Sequence, residues 1–200
     1  MQVSVPVEPG KVYHLYNRGN NREDLFRDEA DYRKFLRLYI EHIHGVADTF
    51  AYCLMRNHFH IMIKVRSEPR AAAMADEFKM TDANQSFSNF FNAYAKTFNN
   101  RHRRTGRLFE ERFRRIEVDS ETYFRQLAVY IHRNPQRHGF VPDFRSWEWS
   151  SYSALCSVQP TKLEREEVLR WFGGLDQFKA AHLPEGDDSA LGAYISDDPN

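Results

Sequence analysis

The chain has 200 residues, with 42% hydrophobic and 28% charged positions, which is the composition of a globular domain rather than a disordered or fibrous chain. Two cysteines, Cys53 and Cys156, exclude a disulfide framework and a four-cysteine zinc site, and fit a reducing compartment. No apolar run approaches the ~20 residues of a membrane span, and the N-terminus MQVSVPVEPGK lacks a signal-peptide core, so a cytoplasmic location is expected.

The formal charge of zero conceals segregation. Five acids and no base follow Lys179, so residues 1–179 carry +5. Seven arginines fall within residues 101–115, against Glu110 and Glu111, and the chain holds 21 arginines to 7 lysines. Arginine's planar fork suits phosphate and base edges. A solvated charged face would give the same local pattern.

In chain order, residues 11–18 read as a strand ending at the turn cluster Gly19-Asn20-Asn21. A helix follows, capped by Asp28 and stopped near Gly45, with Tyr32, Phe35, Leu36, Tyr39, Ile40 and Ile43 as its buried stripe. Residues 48–56 and 58–65 read as two strands. In the second, Phe59, Ile61, Ile63 and Val65 alternate with His58, His60, Met62 and Lys64, so both histidines share one face. After an Ala-rich connection over 67–84, a helix over about 85–100 carries Phe87, Phe90, Phe91, Tyr94 and Phe98 on a core stripe. Residues 113–118 read as a short strand with Phe113 out of phase. A third helix runs from Ser120 to Asn134, capped by Asp119 or Ser120 and ended by Pro135. A last helix is opened by a capping box, Thr161-x-x-Glu164, and ends at Gly173-Gly174. The order β-α-β-β-α-β predicts an α+β, ferredoxin-like split βαβ fold, with an antiparallel sheet and packed helices, plus a C-terminal helical extension.

His58-x-His60 is a site candidate that geometry itself promotes. On a strand, i and i+2 point the same way, within reach of a single ion; the helical pair His42-x-His44 cannot do this. Two histidines leave open positions on an ion. A polar strand face gives the same pattern without any ion. On the third helix, Tyr123, Leu127, Tyr130 and Asn134 share a stripe, so Tyr130 and Asn134 are neighbours. A tyrosine there serves as nucleophile or simply as core.

Taken together, YHLYNRGNNREDLF (13–26), CLMRNHFHIMI (53–63), FNAYAKTFNNRHRRTGRLFEERF (91–113), YIHRNPQRHGFV (130–141) and WEWSSY (147–152) resemble the REP-associated tyrosine transposases of the HUH single-tyrosine superfamily. The resemblance implies a DNA nicking and strand-transfer enzyme that cuts beside hairpins in single-stranded DNA through a 5′-phosphotyrosine. It implies His58 and His60 as ligands of a divalent ion, Mg2+ or Mn2+, with Asn134 as third ligand where related enzymes more often carry glutamine. Tyr130 is the implied nucleophile. Arg18, Arg101, Arg103, Arg104, Arg107, Arg112, Arg114 and Arg115 are the implied DNA contacts, and a homodimer is one implied assembly. The expected organisation is a catalytic domain over 1–152, then, from element order and charge, a helical extension over 153–182 and an acidic, disordered tail over 183–200. Two rival readings stand beside it: a non-catalytic hairpin-binding module, and a metal-dependent hydrolase acting through water.

Overall fold

The computed structural model describes residues 6–68, 82–110 and 113–183. The expected acidic tail, most of the Ala-rich connection and Arg112 fall outside these residues.

Four strands form one antiparallel sheet in the order β2-β3-β1-β4: β1 (Val12–Arg18), β2 (Ala47–Leu54), β3 (His58–Val65) and β4 (Arg114–Val118). Helices α1 (Glu29–Ile43) and α2 (Ala83–Arg101) cover one face. Helix α3 (Glu121–Arg137) covers the other, together with α4 (Tyr152–Cys156), α5 (Arg165–Phe172) and α6 (Leu175–Ala181). This is the α+β split βαβ plan, with a third layer added. No helix among the described residues is long and apolar enough to cross a membrane.

The period-2 alternation of β3 divides the two cores. Phe59, Ile61, Ile63 and Val65 join Phe35, Phe90 and Tyr94 under α1 and α2, whereas Met62 joins Phe50, Phe124 and Leu127 under α3. Phe113, out of phase with Ile116 and Val118, packs on Phe87 and Phe91 of α2 while the other two face the α3 side. Asp28 caps α1 by accepting from the backbone N–H of Ala30 and Asp31, and Ser120 rather than Asp119 caps α3 through Tyr123 N–H. Arg101, at the end of α2, ties α1 to α2 through Asp28 at 2.7 Å and the buried Asp31.

Three expectations are corrected. Ile40 is 44% exposed while Leu38 is buried: α1 packs against α2 as well as the sheet, which rotates its buried stripe and leaves Ile40 lining a groove of about 170 Å3 beside Thr161–Leu163. Pro135 does not end α3, which continues to Arg137. Placed in the last turn it removes one backbone donor, and Gly139 (φ 71) makes the stop, with Phe140 N–H reaching Pro135 O at 2.9 Å. The capping box does not form. Glu164 N–H instead bonds Thr49 O at 3.0 Å and Leu163 bridges Thr49, so this backbone is used to extend the sheet at β2, and Thr161 Oγ1 accepts from Leu163 N–H. Gly173-Gly174 ends α5 as expected and turns the chain into α6, where Phe178 is buried with His182 just beyond.

Candidate active site

β3 presents His58 and His60 to the α3 side, 5% and 3% exposed, and their ring centroids lie 5.4 Å apart at 89°. The spacing expected of a strand is therefore realised, because Phe59 between them is locked into the opposite core.

Helix α3 meets this pair along one stripe. The Tyr130 ring packs edge-on against His60, with centroids 5.5 Å apart, and the His138 ring packs against His58 at 5.0 Å. Residues 130, 134 and 138 follow one another at helical i+4 steps, so Asn134 sits on the stripe between the two contacts. Asn134 is fully buried, and neither its Oδ1 nor its Nδ2 makes a hydrogen bond among the described residues. A buried amide left this way costs on the order of 1–3 kcal/mol. Tyr130 is also fully buried, and the Arg137 guanidinium lies 5.1 Å from its ring centroid.

Behind the pair, strand pairing brings a third imidazole. His14 lies opposite Met62, diagonal to His60, and its Nε2 shares a 2.8 Å hydrogen bond with His60 Nδ1. The His14, Tyr16 and His60 rings stack. His58 Nδ1 bonds the Asn57 side-chain oxygen at 2.7 Å. An amide oxygen accepts only, so His58 donates from Nδ1 and its Nε2 carries the lone pair that a cation needs. Hydrogen bonds at Nδ1 orient imidazoles for ligation through Nε2. Among the described residues no three His, Cys, Asp or Glu side chains converge to hold a metal. A site here would therefore combine the two imidazoles with an amide oxygen and open positions, and the donors present fit that.

The arginines separate into classes. Arg101 is held by Asp28 and Asp31. Arg104 is held by Glu23 at 2.7 Å and by the carbonyls of Gly106 and Arg107. Arg18 grips Glu110 through two nitrogens, which holds that carboxyl below the usual carboxylate range. Arg107 donates to Glu110 O, Arg114 is half-buried on β4, and Arg115 stacks over Phe113 at 4.8 Å. Arg103 is exposed with no ion pair among the described residues. Cys53 is fully buried, which pushes its thiol up and makes it a poor nucleophile.

Residues 10–134 match the family described as "Transposase IS200 like". The chain belongs to the IS200-like transposase family. The matched span of this transposase begins just before β1 and ends at Asn134, so it encloses His58, His60 and Tyr130, while α4–α6 lie beyond it. Its fold is similar to that of a solved structure described as a REP-associated tyrosine transposase bound to a REP hairpin. The TM-score is 0.56 at 16% identity, over 77% of this chain and 84% of that one. No curated protein matches it.

His14, Arg137 and His138 escape a reading of the sequence alone. Arg137 and His138, at i+7 and i+8 from Tyr130, continue its stripe by two turns, a signal present in the helical pattern. His14 carries none, because its place beside His60 depends on the β1–β3 register.

Proposed function

We propose that this IS200-like transposase is a divalent-metal-dependent single-stranded DNA endonuclease and strand transferase that acts beside DNA hairpins through a 5′-phosphotyrosine at Tyr130. The observation that carries the reading is the edge contact of the Tyr130 ring on His60, with His58 beside it and the unbonded Asn134 amide between. His58 Nε2, His60 Nε2 and Asn134 Oδ1 would hold the ion, Mg2+ or Mn2+. When bound, such an ion supplies Lewis-acid stabilisation of charge on a phosphoryl oxygen.

The chain's own groups do the rest. Tyrosine, with an ordinary pKa near 10, is protonated at neutral pH and must lose its proton to attack. Arg137 lies where its charge favours negative charge developing on the phenol. Attack of Tyr130 Oη on phosphorus forms the tyrosyl ester as the bond to the 3′-oxygen breaks, and that oxygen leaves as a 3′-hydroxyl. The ester conserves a phosphodiester, so a second 3′-hydroxyl reverses the step and joins strands without ATP. Tyr130 is fully buried, so the ring turns outward, or its cover moves, when DNA enters. One chain supplies all four residues, so the reading needs no partner subunit. The hairpin partner is supported by the likeness in fold to a transposase bound to a REP hairpin.

Single-stranded DNA with a hairpin and flank from the gene's own surroundings, incubated with Mn2+, should yield an SDS-stable protein–DNA adduct that Tyr130→Phe lacks. An adduct formed by the Phe variant would remove Tyr130 as nucleophile. The full burial of Tyr130 favours one alternative, a binding module of the same fold without cleavage. That module binds hairpins equally well with chelator and forms no adduct with any ion.

A further inference from the structure

We propose that two docked loops, residues 19–23 and 103–109, form a surface for the DNA backbone adjoining the cut, with Arg22 and Arg103 as its phosphate contacts. The proposal rests on the DNA-cleaving reading and assigns a part of the surface that reading leaves open.

Backbone geometry is the first observation. Among the described residues, three that are not glycine have positive φ: Asn21 (54°), Arg22 (61°) and Arg103 (50°). All three lie in these two loops. Asparagine tolerates the left-handed region, but an arginine there meets a steric penalty between Cβ and backbone. Such conformations persist where the surroundings impose them, and they concentrate at binding sites.

The surroundings here do impose them. Asn20 N–H bonds Leu108 O at 2.8 Å, Gly19 bridges Phe109, and Glu110 N–H bonds Arg18 O at 3.0 Å. Arg104 reaches across to Glu23 at 2.7 Å. Leu108 and Phe109 anchor one loop in the first core. At Gly19 a Cβ would stand 1.9 Å from the carbonyl oxygen of Glu23, so the other loop closes tightly on itself. The two loops are rigid partners, and the strain cannot relax.

Charge is the second observation. Among the described residues the acids of this surface are each engaged: Glu23 by Arg104, Asp24 by Arg56 at 2.6 Å, and Glu110 by Arg18. Arg22 and Arg103, both exposed, remain as excess positive charge. An anion is the partner this fits, and a guanidinium fork fits phosphate.

Position is the third. Gly19 N–H bonds Asn57 O at 2.8 Å, and Asn57 holds His58 through its side chain. Arg18 lies opposite His58 in the sheet. The surface therefore adjoins the His58 end of the candidate site, within reach of DNA leading to or from the scissile phosphate.

The test uses the full chain and a fluorescent hairpin oligonucleotide with a single-stranded flank, titrated between 50 and 200 mM salt. Arg22→Gly and Arg103→Gly each remove a guanidinium and relieve the backbone. Both should melt within about 2 °C of the wild type, or above it, yet bind more weakly. The slope of log affinity against log salt should fall by about 0.7–0.9 for each arginine removed. Arg22→Lys and Arg103→Lys, which keep charge and strain, should retain the wild-type slope. Glycine variants with wild-type affinity and slope overturn the assignment, as does weaker binding that merely follows a fallen melting temperature. A wild-type protein that does not bind the hairpin overturns the function reading and this surface with it.

Discussion

Two buried histidine clusters stand on the same side of the sheet, and they are built to different ends. In one, His132 of α3 shares a 2.8 Å hydrogen bond with His182 beyond α6 and another with Ser151 Oγ, while His182 Nδ1 donates to Phe178 O at 2.7 Å. Ser151 Oγ in turn accepts from the Tyr52 N–H on β2. Each of the four ring nitrogens of that cluster has a protein partner, and the chain closes from β2 through α3 to α6. In the other cluster, His14, His58 and His60 meet Tyr130 and His138, and Asn134, on the helix stripe between those two, has an amide that makes no hydrogen bond among the described residues. A satisfied buried network rigidifies a fold, whereas an unsatisfied one persists at a cost that function explains. The two residues that separate these fates, Tyr130 and His132, are two positions apart on one helix, pointing to different neighbours.

The largest effect that would break the comparison is a dissociation of cleavage from stability. Per folded molecule, His60→Ala should reduce adduct formation by at least about 100-fold, beside whatever stability goes with its hydrogen bond to His14. His132→Ala should lose stability alone. It leaves His182 and Ser151 with buried unmet groups, costs about 2–4 kcal/mol, and spares cleavage per folded molecule. Calorimetry and an adduct assay on both variants decide it. Should His132→Ala abolish cleavage in folded protein, the closed cluster would have a direct part in the chemistry.

Acid should reveal the closed cluster next. Burial pushes His182 down from 6.5 to about 4, and it pushes His132 down as well. Between those values the unfolded chain binds a proton that the folded chain refuses. Stability is therefore full above pH 6.5 and falls as pH drops toward 4, by about 3 kcal/mol for His182 alone. Melting temperatures measured from pH 7.5 to 4.5 should fall steeply in the wild type, and less steeply in His182→Gln.

How much of this was legible beforehand follows from range in sequence. The shared face of His58 and His60 is a local property of β3, and so is the Tyr130–Asn134 stripe of α3; both were readable from period alone. His14 was not, because its place beside His60 is set by pairing between residues 46 positions apart. His132 sits inside the readable stretch YIHRNP, but its partner lies 50 residues away on a helix that the glycine pair concealed. Pro135 misled because its effect depends on where a helix ends, and that was decided by Gly139. The arginine cluster was legible as charge, yet Arg101 and Arg104 are engaged by Asp28, Asp31 and Glu23 from α1 and the loop before it.

Asn134 offers an intermediate effect that sharpens the contrast from the open side. If its amide oxygen serves an ion, Asn134→Ala should weaken Mn2+ binding by about tenfold, read by electron paramagnetic resonance on DNA-free protein. It should not destabilise the fold as His132→Ala does, because the amide it removes makes no hydrogen bond there. A marked fall in melting temperature with unchanged Mn2+ affinity would return Asn134 to the structural class.

The smallest effect belongs to Arg137, an exposed cation beside a buried ring. On the proposed mechanism its field acts on charge that develops on the phenol during attack and is absent before it, so its contribution would belong to the rate rather than to binding. An exposed cation–ring contact is worth about 0.5–1 kcal/mol. Arg137→Gln should then slow single-turnover adduct formation by about two- to fivefold at unchanged DNA affinity, and Arg137→Lys should recover part of the loss. A variant that instead loses affinity at an unchanged single-turnover rate would move Arg137 from the nucleophile's surroundings to the DNA-holding surface.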